Sequence, residues 1–319
     1  MSKIIVAVDA MGGDLGSKAA VEGAVWAIGE SPNLGIILTG PEDELKEVLA
    51  GHNHNGDISI VHAPDIILPS ESPTLAFRRK KDSSMVVALK LVKEGKAHGF
   101  VSSGSTGAML TGATVLIGRK KGIERPALGT LLPNAKKGFT LLVDSGANMD
   151  SKPSYLLQFG MLGSEYMKNM RGIKNPRVGL INVGHEDEKG NILAKEAYAL
   201  LKESDLNFVG NIEGREIPSG DVDVAVCDGF TGNVVLKFME GAAKSMMGMI
   251  KEELMSGTVS KIGALLAKGA FKKIRKRFDY REVGGAPFLG LNHLVIKAHG
   301  SSDALAFKNA ILQIILCAK

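Results

Sequence analysis

The sequence predicts an α/β protein, a parallel or mixed sheet with helices on its faces. Three observations carry this expectation. Short β-branched runs alternate with segments of helical period, the strand-to-helix junctions are rich in glycine and small polar residues, and aromatics make up 5% of the 319 residues while glycine reaches 39. Parallel strands covered on both faces read as unbroken apolar runs joined by short loops, which suits this pattern better than an all-β sandwich does.

In chain order, residues 3–8 form the first such run, followed by a glycine turn at 11–16 and a helical pattern from about 17 to 29. A strand at 35–39, a helix at 42–50 opened by Pro41, a strand at 58–62 and a helix at 83–94 follow. Farther on, strands at 99–102, 139–143 and 177–181 run into SSGSTGAML, DSGANMD and NVGHEDEKG. Strands at 223–226 and 294–297 run into CDGFTGNVVLKFMEGAAKSMM and AHGSSDALAFKNAILQIIL, whose second halves have helical period. No internal repeat and no Pro/Ser-rich linker cuts the chain, so residues 1–319 read as a single α/β unit or two intimately joined lobes, with enough apolar content, 45%, to bury a large core.

Composition narrows the function classes. Asp9 interrupts the N-terminal apolar run, which does not read as a signal peptide, and no stretch approaches the roughly 18 apolar residues of a membrane span. Cys227 and Cys317 lie far apart in apolar runs, for which a reducing cytosol is the simplest compartment. The formal charge is +5, but segment 256–278 holds seven cations and no acid; removing those seven leaves −2. The basic character is therefore one local docking surface and not an adaptation to nucleic acid.

Five strand-end loops combine glycine with small polar or acidic residues: DAMGGD (9–14), SSGSTGA (102–108), DSGAN (144–148), DGFTGN (228–233) and HGSSD (299–303). Glycines let backbone amides approach an anion, hydroxyls and Asn add donors, and a following helix start adds its positive dipole end. One such loop is ordinary turn chemistry; five of one composition describe an anion-binding cleft outside the carboxyl ends of parallel strands. Asp9, Gly12, Gly13, Thr106, Asp228, Thr231 and Asn233 are expected to converge there. Neither a GxxxxGK[ST] loop nor a strict GxGxxG fingerprint is present, so no nucleotide is indicated.

The strand-end acids Asp9, Asp14, Asp144, Asp228 and Asp303 are open to roles as bases, metal ligands or helix caps, and no metal or other cofactor is expected. His52 and His54 sit in a hydrophilic turn, whereas His185 and His299 lie in strand-end loops where an imidazole can act as acid or base. Cys227 reads as a core thiol. Arg78, Arg79, Lys80 and Lys81 are either a solvated helix face or an electropositive rim that draws an anion or an acidic partner toward the cleft.

In order along the chain, VAVDAMGGD, SPTLAFRRKKDSS, SSGSTGA, DSGAN, INVGHE with KGN, GNIEGRE, CDGFTGN, GGAPFLG and IKAHGSSD resemble the bacterial phosphate acyltransferase family called PlsX, from about residue 3 to about 317. The resemblance implies a three-layer αβα sandwich with a mostly parallel sheet, similar to the isocitrate and isopropylmalate dehydrogenase group and to phosphate acetyltransferases, acting as a homodimer. It implies the reaction acyl-[acyl carrier protein] plus inorganic phosphate to acyl phosphate plus free carrier. It also implies peripheral membrane association and delivery of product to a membrane glycerol-3-phosphate acyltransferase. Two departures stand out: Ser105 replaces a common Asn, and Gly184-His185-Glu186 replaces a common Gly-Glu-Glu, leaving Glu186 as the candidate acid there.

On this reading the expected catalytic residues are His299, as the nearest proton donor, with Asp9 and Asp228. The expected phosphate or substrate residues are Gly12, Gly13, Asp14, Lys80, Ser103, Ser105, Thr106, Asn148, Glu186, Thr231, Asn233 and Ser301. Residues 258–278 are expected to form an amphipathic helix or helical hairpin on the membrane surface, with Ile262, Leu265, Leu266, Lys272, Lys273 and Arg275 in contact. A dimer-interface helix and a carrier-docking face are the alternatives. Two other function classes stay in view: a nicotinamide-dependent decarboxylating dehydrogenase, for which the arginine triad and metal-binding aspartates are not found, and a non-catalytic lipid or carrier module, which leaves the five loops unexplained.

Overall fold

In the computed structural model, which describes residues 3–54 and 56–317, the apolar runs and periodic segments become eleven strands and eleven α-helices. In chain order they are β1 (Ile4–Asp9), α1 (Gly16–Glu30), β2 (Leu34–Gly40), α2 (Glu42–Ala50), β3 (Asp57–His62), α3 (Pro73–Arg79), α4 (Ser84–Lys93), β4 (Gly99–Ser102) and α5 (Thr106–Leu116). There follow β5 (Ala127–Pro133), β6 (Phe139–Val143), α6 (Pro153–Arg171), β7 (Val178–Asn182), α7 (Ile192–Lys202), β8 (Phe208–Glu213) and β9 (Val224–Val226). The chain closes with α8 (Gly229–Leu254), α9 (Thr258–Arg277), α10 (Tyr280–Val283), β10 (Gly285–Leu289), β11 (Leu294–Ala298) and α11 (Ala304–Cys317).

All strands join one sheet in the order β3-β2-β1-β4-β11-β10-β5-β6-β9-β7-β8. It is mostly parallel, as the sequence led us to expect, but not throughout. Strand β10 is antiparallel to both β11 and β5, and β5 is antiparallel to β6. Three reversals in a row turn the second group, β6, β9, β7 and β8, against the first group, β3, β2, β1, β4 and β11. The carboxyl ends of β1, β4 and β11 therefore lie at one edge of the sheet and those of β6, β9 and β7 at the other.

Side-chain alternation sorts the core into layers. Val6 and Val8 face α1 and α11, meeting Ala20, Ala24, Phe307 and Ile311, while Ala7 and Phe100 face α4 and α5, meeting Met85, Leu89 and Met109. In the second group Leu141, Val143 and Val224 pack on Phe159 of α6 and Leu201 of α7, and Leu142 and Ala225 lie on the opposite face with Cys227 and part of α8. Helices thus cover both faces, a three-layer sandwich. The 26-residue α8 buries only Gly229 and Gly232, and α9 buries nothing. At 1.5 Å per residue α8 is about 39 Å long, so the α8–α9 pair projects well beyond the sandwich.

Candidate functional site

The site is built upward from the register of three adjacent strands. Strand β4 sets Ser102 beside Asp9 of β1, and β11 sets Lys297 beside Ser102. Buried Asp9 accepts the Ser102 hydroxyl at 2.7 Å and the Met11 N–H at 3.2 Å. Above it the 9–14 turn folds over the β4 loop: Ser103 donates to the Gly12 carbonyl at 2.6 Å, the Gly104 N–H donates to Ser102 Oγ at 2.9 Å, and the Asp14 N–H donates to the Gly300 carbonyl at 2.8 Å. Gly13 has φ 84°, and a Cβ there would run into the Ser103 hydroxyl and stand 2.7 Å from the Gly300 carbonyl. Only glycine fits both the conformation and the space. Ser105 leads into α5 without any side-chain cap, so the N–H groups of the first turn at Thr106 keep no protein partner from a cap.

Cations gather at this edge. The Lys297 Nζ donates to the Ser103 carbonyl at 3.3 Å and to the Ala298 carbonyl. Burial lowers its pKa to about 8, the Lys237 ammonium acts in the same direction, and Asp14 and Asp9 oppose. Lys237 comes from α8 and places Nζ 3.4 Å from His299 Nε2. Burial and then the same ammonium push the His299 pKa below its ordinary value, so the imidazole is neutral at pH 7. His299 Nδ1 accepts the Ser301 N–H at 3.3 Å and lies 2.9 Å from the Ser301 hydroxyl, while Nε2 faces the Lys237 ammonium. The Tyr280 ring lies 5.0 Å from the imidazole, with its hydroxyl 3.1 Å from Ser301 Oγ. Burial raises the Asp9 pKa, against the hydrogen bonds that favour its anion.

A second loop cluster forms at the opposite edge. Asp144 accepts N–H groups of Leu128, Gly146, Ala147 and Asn148, as well as Asn148 Nδ2 at 2.8 Å. Asn148 spends its other donor hydrogen on the Pro126 carbonyl at 2.8 Å. Asp228 caps α8, accepting the Thr231 N–H at 2.9 Å and the Thr231 hydroxyl at 2.7 Å. Gly232 presses so closely on the Asp144 carbonyl that no side chain fits, and Asn233 lies against Gly146. Buried Cys227 has its thiol pKa pushed well up by burial and by Asp228 and Asp144, the state of a core thiol and not of a nucleophile.

The structure thus brings together Asp9, Gly12, Gly13, Asp14, Ser103, Ser105, Thr106, His299 and Ser301. Convergence of all five loops in one cleft is not what it shows, because the antiparallel strands β10 and β5 reverse half of the sheet. Asp228, Thr231, Asn233 and Asn148 belong to the far cluster, tied to the near one by α8. From Gly229 to Lys237 that helix rises about 12 Å, delivering Lys237 to His299. Glu186 is exposed beyond β7, on the far edge. Lys80 is not a free cation: it pairs with Glu71 at 2.6 Å and donates to the Ile66 carbonyl at 2.7 Å. Two concavities, about 370 Å³ beside Arg119 and Tyr155 and about 340 Å³ beside Lys136 and Arg177, include none of the near-cluster residues.

Ser102, Lys237 and Lys297 were not singled out from the sequence. Ser102 opens the SSGSTGA loop and Lys297 lies two residues before HGSSD, so both stood within reach of motifs, whereas Lys237 lies inside a helical pattern with no local signal. Among the described residues no group of three or more His, Cys, Asp or Glu is placed to hold a metal, and no helix is long and apolar enough to cross a membrane.

Residues 4–318 match the family model described as "Fatty acid synthesis protein". Proteins named phosphate acyltransferase are 53% identical in Clostridium botulinum strain ATCC 19397, over 98% of this chain and 94% of that protein, and 51% identical in Clostridium acetobutylicum, over 99% and 96%. Among solved structures, a phosphotransacetylase from Streptococcus pyogenes superposes with TM-score 0.64 at 19% identity, covering 98% of this chain and 94% of that one. A 4-hydroxythreonine-4-phosphate dehydrogenase from Klebsiella pneumoniae superposes with TM-score 0.57 at 12% identity, covering all of both chains. These two likenesses concern the fold.

Proposed function

The chain belongs to the fatty acid synthesis protein family of phosphate acyltransferases, and on that premise we propose that it moves a fatty acyl group from an acyl carrier protein thioester to inorganic phosphate at the near loop cluster. The observation that carries this reading is the interlocking of the 9–14, 102–106 and 299–303 loops around an uncapped α5 start, with Lys237 and His299 on the rim.

Phosphate is already a nucleophile, so the protein's task is positioning and electrostatic stabilisation. Loop N–H groups and the Ser105 and Thr106 hydroxyls hold the dianion. One phosphate oxygen attacks the thioester carbonyl carbon, a tetrahedral intermediate forms, its C–S bond breaks, and the electron pair leaves on sulfur. The carrier thiol has a low enough pKa to need little help, and the His299–Lys237 pair is the nearest proton source. In this mechanism Asp9 holds the Ser102–Gly104 turn in place, and Asp228 acts through α8, whose start it caps.

The same proposal includes a homodimer and a peripheral position on the membrane, where an amphiphilic acyl phosphate passes to a glycerol-3-phosphate acyltransferase. The exposed apolar and basic α9 supports the membrane part. The test is incubation with acyl carrier thioester and phosphate. The expected outcome is free thiol released only when phosphate is present, with one acyl phosphate per thiol; phosphate-independent thiol release, or none, contradicts the reading.

A further inference from the structure

Lysine is rarely buried without a counter-charge. Yet Lys297, partly buried and cut off from most of its water, makes no ion pair within 4.0 Å among the described residues. Two backbone carbonyls, of Ser103 and Ala298, hold its ammonium in the middle of the interlocked loops. The charged and titratable groups around it are Asp9 from β1, Asp14 from the following turn, Lys237 from α8 and His299 from the end of β11, with Glu240 of α8 acting on His299. Asp9 is already engaged by Ser102 and Met11, Asp14 is exposed, and Glu240 pairs with Lys237 at 2.9 Å. Two ammonium groups therefore converge beside glycine loops with no carboxylate paired to the inner one, an excess of positive charge that an anion balances.

We propose that Lys297 binds the phosphate nucleophile directly, its ammonium lying beneath the anion that the Gly13 and Ser105–Thr106 loops cradle. This deepens the reaction proposed above and rests on it. Without an anion, burial and Lys237 favour the neutral amine; a bound dianion favours the ammonium. Phosphate binding near pH 8 is then accompanied by proton uptake, and affinity falls as the pH rises above about 8.

The experiment is titration calorimetry of the intact protein with inorganic phosphate at pH 8, in two buffers of different ionisation enthalpy, alongside steady-state kinetics of wild type, Lys297→Met and Lys297→Arg. Fractional proton uptake is expected in wild type and none in Lys297→Met. The KM for phosphate should rise about tenfold or more in Lys297→Met, with the KM for acyl donor changed by less than about twofold. Lys297→Arg should recover most of the phosphate KM and shift the alkaline limb upward. No proton uptake by wild type, or an unchanged phosphate KM in Lys297→Met, overturns the assignment. If Lys297→Met does not fold, wild-type proton uptake and the Lys297→Arg profile decide alone, and an unmoved alkaline limb in Lys297→Arg overturns it. Absence of any phosphate-dependent thioester cleavage by wild type defeats the reaction itself, whereas normal turnover with a normal phosphate KM in Lys297→Met defeats only the role of Lys297.

Discussion

Gly13 occupies a left-handed backbone conformation under the Gly300 carbonyl, so Gly13→Val faces both strain and a clash. We expect a loss of stability on the order of 1–3 kcal/mol together with loss of turnover; urea midpoints and thiol release check the two separately, and an active variant of unchanged midpoint would show a mere turn glycine. Asp228→Ala removes the α8 cap, at a cost of about 1 kcal/mol, and should lower turnover because Lys237 rides on the same helix; Asp228→Asn keeps an accepting oxygen and should retain most of both. For Lys297 the folded pKa of about 8 lies below the ordinary 10.5. Between those values the unfolded chain binds more protons, so the folded state gains stability as pH rises through the window. Without phosphate, wild type should therefore gain stability relative to Lys297→Met from about pH 8 upward, a difference that paired thermal melts measure.

At the scale of elements, α9 matches its sequence pattern closely: Leu265 and Leu266 are 70% and 83% exposed, and the helix runs unbroken through Gly263 and Gly269. An exposed apolar stripe among lysines and arginines is legible because amphipathic period needs no tertiary context. Each cation near an anionic surface contributes on the order of 1 kcal/mol, so the intact protein should float with anionic liposomes and a Leu265→Glu, Leu266→Glu variant should not. Flotation of neither would favour carrier docking or a dimer interface. Strands β5, β8 and β10 escaped the sequence reading for local reasons. Gly129 and Pro133 punctuate the first, Gly210 the second, and Gly285 and Pro287 the third, and these residues read as turns until neighbouring strands supply their partners.

For the whole molecule, the layered α/β architecture and the chemistry of the loops were readable in the sequence, but their distribution between two edges was not. Strand direction across the sheet depends on the antiparallel pairings of β10 and β5, which are set by long-range contacts and leave no mark on DAMGGD or DGFTGN. Lys237 joins the near cluster only because α8 spans the distance between the edges, and Lys80, a loop-side cation in the sequence, is taken up by Glu71. The net charge of +5 is concentrated in segment 256–278, so turnover on an acidic carrier should decline with added salt; a flat profile up to a few hundred millimolar would count against that segment as a docking face. The most direct test of where the chemistry occurs is a crystal structure of the intact protein soaked in inorganic phosphate. The anion is expected within hydrogen-bonding distance of the Gly13 and Thr106 N–H groups and of Lys297 Nζ, and phosphate found instead only between Asn148, Thr231 and Asn233 would contradict that placement.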